Sequence, residues 1–204
     1  MTTAPRLLVA LDGSPLEGSS VHRLLAAACD GARAVGGEAA HVRAYALGIK
    51  PCVACGADAA PGGYCIFHDD MDTVYALLER AHAVVVGSPI YFDTVSGPLK
   101  LLIDRCNCVT PLVTLTDGSQ DCVAKWPRTR RGAFVTACSS EHRYDLAERT
   151  VRGFLKWVGA RWEETLAWQH PDNDLGSVSA ALLARAHALG RRLMESPPSA
   201  ADAW

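Results

Sequence analysis

The feature that most constrains this chain is a run of β-branched residues that ends abruptly. Ala83-Val84-Val85-Val86 leads into Gly87-Ser88-Pro89, and Ile90, Tyr91 and Phe92 follow at once. A short continuous apolar run bounded by Gly and Pro reads as a strand buried on both faces, the kind found in parallel sheets covered by helices. Such a strand has no use for an aromatic pair beyond its last residue. On the turn into the next helix, however, the pair lies where open α/β sheets bind ligands, and it suits a flat conjugated ring.

A second loop supplies a matching half. Arg6 to Leu11 is another short apolar strand, and Asp12-Gly13-Ser14-Pro15-Leu16-Glu17-Gly18-Ser19-Ser20 carries it into a helix beginning near Ser19. Backbone N–H groups and the hydroxyls of Ser14, Ser19 and Ser20 turned toward one helix N-terminus would suit a phosphate. Neither Gly-x-Gly-x-x-Gly nor a Walker-type Lys after Gly18 is present, so the two better-known nucleotide loops are excluded. The plainer reading of the same residues is a capped helix start after a turn.

Helix and strand patterns alternate along the rest of the chain. The spacing of Val21, Leu24, Leu25, Ala28, Ala32 and Val35 predicts a helix over 19–36, stopped by Gly36-Gly37, with a strand near 38–45. Asp69 or Asp70 caps a helix running to about Ala81, the strand 83–88 follows, and Ser96 caps the helix carrying Leu99, Leu102, Ile103 and Cys106. Residues 108–131 form a long excursion with a role at the site or an interface. Then come a strand at 132–137, a helix from about Arg143 to Gly159, a strand at 162–168 and a last helix from about Val178 to Leu193. Five alternating strands and helices imply an α/β doubly wound parallel sheet. One domain over residues 1–195 is expected, with 196–204 a disordered tail.

Composition narrows the partners. A formal charge of -2 gives no basic field for nucleic acid or an acidic membrane, and no apolar stretch approaches a spanning segment or a signal-peptide core. A cytoplasmic protein follows, with no nucleic-acid or membrane partner.

The two loops together, with Leu-Lys-x-x-Ile-Asp-Arg-Cys at 99–106, resemble the flavodoxin-like NADPH-dependent FMN reductases and, more closely, their relatives the iron-sulfur flavoproteins. The resemblance covers about residues 5–106, and beyond that only the βαβα rhythm continues. It implies a flavodoxin-like strand order 2-1-3-4-5 and FMN as cofactor. The candidate cofactor-binding residues are Ser14, Leu16, Ser19, Ser20 and Val21 around the phosphate and Pro89, Ile90, Tyr91, Phe92, Asp93 and Ser96 around the ring. It also places Ala137 to Ser140 beside the flavin, without the glycines usual there. Hydride transfer from a nicotinamide to a flavin requires no protein acid or nucleophile, so no catalytic residue is assigned.

The function implied is an FMN-dependent oxidoreductase in which NAD(P)H reduces the flavin and a small acceptor (a quinone, free flavin, nitro or azo compound) takes the electrons in a ping-pong cycle. A homodimer or homotetramer is expected. Two alternatives stand beside it: an FMN-dependent dehydrogenase of a small biosynthetic metabolite such as a chorismate-derived ring, and a non-catalytic flavodoxin-type electron carrier. A charge of -2 argues against a carrier that docks by acidity.

Eight cysteines need separate reading. Cys29, Cys106 and Cys138 fall at core-facing positions and read as small apolar side chains. Iron-sulfur flavoproteins place a compact Cys-x2-Cys-x2-Cys-x5-Cys run before Asp-Asp-Met, whereas this chain has Cys52, Cys55, Asp58 where the third Cys is expected, and Cys65 before Asp69-Asp70-Met71. Four readings stay open: a [4Fe-4S] cluster completed by Asp58, Cys108 or Cys122, a zinc site with His68, a redox dithiol of Cys52 and Cys55, or packing thiols. The incomplete run weighs against an intact four-iron cluster, and no metal ligand is assigned. The basic run Lys125, Arg128, Arg130 and Arg131 reads as a solvated strand entry or a site for an NADPH 2′-phosphate or substrate carboxylate. His22, His41, His82 and His187 read as surface or helix-face residues without a role.

Overall fold

The structure, a computed structural model, describes residues 5–56, 64–126, 129–139, 143–170 and 174–195. The expected tail, Asp58, Arg128 and Ser140 lie outside the described residues. The elements run β1 (Leu7–Asp12), α1 (Ser20–Arg33), β2 (Glu38–Arg43), α2 (Met71–Arg80), β3 (Ala83–Pro89), α3 (Gly97–Arg105), β4 (Leu112–Thr114), β5 (Gln120–Cys122), β6 (Arg130–Ser139), α4 (Asp145–Trp157), β7 (Ala160–His170) and α5 (Ala180–Met194).

Five strands form one sheet in the order β2-β1-β3-β6-β7, every neighbouring pair parallel. This is the flavodoxin-like order expected, with β6 and β7 as the fourth and fifth strands of the sheet. Leu8, Ala10, Val85, Ala133 and Val135 face α1 and α5, while Val9, Leu11, Val84, Val86 and Phe134 share the other core with residues of α2, α3 and α4. The helices α1 and α5 cross closely: a Cβ at Gly31 would lie 1.9 Å from the His187 carbonyl oxygen, and one at Gly190 would lie 1.8 Å from that of Ala28. Only glycine permits that approach.

Several expectations change. The excursion contains an antiparallel pair, β4 with β5, that the sequence reading left without regular structure. The last sheet strand extends two residues beyond each predicted end, with a bulge opposite Gly132/Ala133. Arg130 is neither solvated nor turned to a ligand. It is fully buried and donates to the carbonyls of Leu78, Glu79 and Val158, so one guanidinium satisfies the C-terminal ends of α2 and α4. Arg131 pairs with Glu163. His82 also has a structural part, its Nδ1 accepting the Leu7 N–H at the start of β1. Among the described residues no helix is long and apolar enough to cross a membrane.

Candidate functional site

The sheet reverses its winding between β1 and β3, and the loops leaving those two strands part there. Asp12, the last residue of β1, is fully buried, and its Oδ1 accepts the Ser14 N–H at 2.8 Å. Its Oδ2 meets His22 Nδ1 at 2.9 Å and His41 Nε2 at 3.0 Å, the two imidazoles stacked with centroids 4.7 Å apart. Burial alone would raise the Asp12 pKa, but the hydrogen bonds from His41, the Ser14 amide and His22 outweigh it and hold the carboxyl below its usual range. The two histidines read as roleless therefore clamp the root of the first loop to α1 and β2.

From that root the chain turns through Gly18, at φ +75°, into the helix. Ser19 caps α1, its Oγ accepting the His22 N–H at 3.3 Å, and lies 2.7 Å from Ser14 Oγ. Those two hydroxyls converge as expected. Ser20 does not join them: its hydroxyl is buried and donates to the carbonyls of Leu175 (2.8 Å) and Ser177 (3.0 Å), tying α1 to the segment after β7.

The second loop closes tightly. Tyr91 and Thr94 exchange backbone hydrogen bonds at 3.0 and 3.1 Å, forcing Phe92 and Asp93 to φ +50° and +62°. Non-glycine residues held in that region store strain, a recurrent mark of ligand-binding loops. Phe92 is fully exposed at the tip.

One cleft joins the two loops. Its walls are Ser14, Pro15, Leu16, Ser19, Ser20, Val21, Pro89, Ile90, Tyr91, Ala137, Cys138, His170 and Leu175. Eight of the eleven candidate cofactor residues thus share a cleft, while Phe92, Asp93 and Ser96 stand outside its walls. Ser96 occupies the cap position of α3 without making a side-chain cap bond, and its Oγ is buried without a hydrogen-bond partner among the described residues. The sequence reading missed Pro15, His170 and Leu175. His170 is buried, with Nε2 3.3 Å from Ser20 Oγ and Nδ1 lacking a hydrogen-bond partner among the described residues. That orphaned polar atom in a cleft wall fits a polar ligand. The only cue in the sequence was its place at the end of the last strand.

The cysteines divide as the sequence indicated, with one addition. Cys29, Cys106 and Cys138 are buried, and burial pushes the Cys29 thiol up to about 11. Cys52, Cys55 and Cys65 line a second, smaller pocket together with Arg105 and Cys108. His68 is not part of it. Its side chain is 87% exposed and pairs with Asp72. Cys122 is exposed on β5, also outside that lining.

Comparison with known proteins places this architecture. Residues 7–162 match the family model described as NADPH-dependent FMN reductase. Curated relatives include an iron-sulfur flavoprotein of Methanosarcina thermophila, 32% identical over 98 residues (48% of this chain, 51% of the relative). One from Archaeoglobus fulgidus is 36% identical over 98 residues, 48% of this chain and 47% of the relative. The chain spans about half the length of these curated relatives. Among solved structures, a flavone reductase superposes with a TM-score of 0.70 at 17% identity, over 97% of this chain and 65% of its own. An azoreductase from Bacillus anthracis gives 0.64 at 16% identity, over 92% and 99%.

Proposed function

Because this chain belongs to the NADPH-dependent FMN reductase family, we propose that it is an FMN-dependent oxidoreductase taking hydride from NADPH or NADH and passing electrons to a small organic acceptor. The observation that carries the reading is the single cleft at the ends of β1, β3, β6 and β7, with paired serine hydroxyls in one wall and Ile90 and Tyr91 in another. FMN, when bound, supplies a ring that accepts hydride and returns electrons one or two at a time.

The chain's own residues bind and orient. Ser14 and Ser19 would hold the phosphate, exchanging their mutual hydrogen bond for donation to its oxygens at the N-terminus of α1, where the helix dipole favours an anion. The Asp12 clamp keeps Ser14 in place. Ile90 and Tyr91 supply the apolar wall for the ring, and His170 Nδ1 offers a polar group to the ligand from the far wall. Phe92, fully exposed on the same strained loop as Tyr91, would be free to stack on a second ring that reaches the cleft.

The test is an anaerobic titration of FMN-loaded protein with each nicotinamide, following the visible flavin absorption. Bleaching at or above about 1 per second is expected, the low end of ordinary turnover. Failure of both nicotinamides to bleach the flavin overturns the reductase reading.

A further inference from the structure

Along the sequence, Cys52, Cys55 and Cys65 form a ligand run with a gap at position 58, which is Asp. The fold brings a fourth sulfur from elsewhere: Cys108, in the helical turn Cys106–Val109 that follows α3, lines the same pocket as the other three. We propose that Cys52, Cys55, Cys65 and Cys108 ligate a [4Fe-4S] cluster, with Cys108 taking the place of the ligand that position 58 does not provide.

The charged wall of that pocket points the same way. The Arg105 side chain is wholly buried. One terminal nitrogen donates to Asp69 at 2.7 Å and to the Lys50 carbonyl at 2.8 Å, the other to Asp69 at 3.2 Å. Its Nε has no hydrogen-bond partner among the described residues, and the residue lines the pocket with the four cysteines. A buried N–H of a guanidinium is costly to leave unpaired. The Arg105 charge is already paired with Asp69, but a cluster held by four thiolates is anionic and its sulfurs accept hydrogen bonds that tune it, so it would satisfy the orphaned Nε donor.

The approach to the pocket is also built. Asp69 accepts the Lys50 and Met71 amides, and Asp70 accepts that of Gly48, so both ends of the cysteine segment are pinned beside Arg105. Tyr64, next to Cys65, stacks on Tyr75 at 5.3 Å and accepts from Trp126 Nε1 at 2.8 Å, while Cys108 Sγ lies 3.3 Å from Tyr75 Oη. The spacing weighs against a preformed zinc site. Tetrahedral zinc with Zn–S of about 2.3 Å sets its sulfurs about 3.8 Å apart. Among the described residues, the set of three ligand atoms within 4.8 Å of one another is that of Asp12, His22 and His41, so no three of these sulfurs gather so closely.

The test uses the full chain reconstituted anaerobically with ferrous iron and sulfide, and it is independent of nicotinamide turnover. Iron and sulfide analysis should give about four of each per chain, with an EPR signal on dithionite reduction. Cys108→Ser should drop iron to about three or fewer and abolish the reduced-state signal, while far-UV circular dichroism and FMN binding are kept; Cys108→Ala is the substitute if Ser disturbs the buried site. Asp58→Ala should retain all the iron, and Asp58→Cys in the Cys108→Ser background should restore it. Full iron in the Cys108 variants, loss of iron in Asp58→Ala, or one zinc and no iron after the same treatment overturns the assignment.

Discussion

Replacing Asp12 by Asn tests the clamp beneath the phosphate loop almost without changing shape. The wild-type carboxylate is fully buried and accepts three N–H groups at 2.8, 2.9 and 3.0 Å. In the variant, the amide oxygen keeps the Ser14 N–H, and the NH2 meets both histidines once each moves its proton to the far ring nitrogen. All three contacts survive as neutral ones. Bonds to a charged partner contribute about 1.5–3 kcal/mol and neutral ones about 0.5–1.5, so the exchange loses about 3 kcal/mol in total. Those figures are net of desolvation, so with a urea m-value of about 2 kcal/mol/M the unfolding midpoint falls by about 1.5 M at pH 7. The pH dependence supplies the sharper check. Since the folded-state pKa of Asp12 is lowered, its contribution is fully present above the unfolded value near 3.9 and is lost as pH falls through the folded one. Asn does not titrate, so the gap between the two proteins is full at pH 5 and narrows toward pH 3. A gap that is the same at pH 3 as at pH 5, or absent at pH 7, refutes the reasoning.

Ser14→Ala with Ser19→Ala should weaken FMN by about 2 kcal/mol, roughly thirtyfold by calorimetric titration, because two donors to a dianion are lost. Ser20→Ala should instead lower the urea midpoint more than the affinity, since that hydroxyl is committed to the Leu175 and Ser177 carbonyls. Phe92→Gly relieves a left-handed residue and should hold stability level or raise it by up to about 1 kcal/mol, while slowing anaerobic flavin bleaching by NADPH in stopped flow. Gly87→Ala should cost about 1–3 kcal/mol in urea unfolding, because the new Cβ would sit 2.5 Å from Leu25 Cδ1 and 2.9 Å from Val21 Cγ1.

What was legible in the sequence was what chain neighbours decide. β1 and β3 declare themselves by uninterrupted apolar runs, α1 by its repeat, and both binding loops by their turn residues. The loops predicted to meet do meet, because parallel pairing of β1 with β3 brings their C-terminal ends side by side. Details failed where a partner far along the chain intervenes. Ser20 looked like a phosphate donor until a segment more than 150 residues away offered its hydroxyl carbonyls. Arg130 looked like a surface charge until two helix ends presented theirs. His170 lies beyond the predicted end of a strand whose burial does not alternate, so no period marked it.

The Asp12 clamp shows how such a contact becomes derivable once the topology is known. Alternation along β1 puts Leu8, Ala10 and Asp12 on one face, the face that α1 covers. The parallel register sets His41 beside Ala10, so it shares that face one step from Asp12, and His22 is in the first turn of α1 directly above. A buried carboxylate at that spot must find donors, and those two imidazoles and the loop amide supply them. The same logic accounts for Cys108: it belongs to no local motif, yet a guanidinium on the preceding helix fixes the cysteine segment against it. In both places, a buried charge at an element's end gathers partners that the linear spacing keeps apart, so the sheet order had to be known before either constellation could be read.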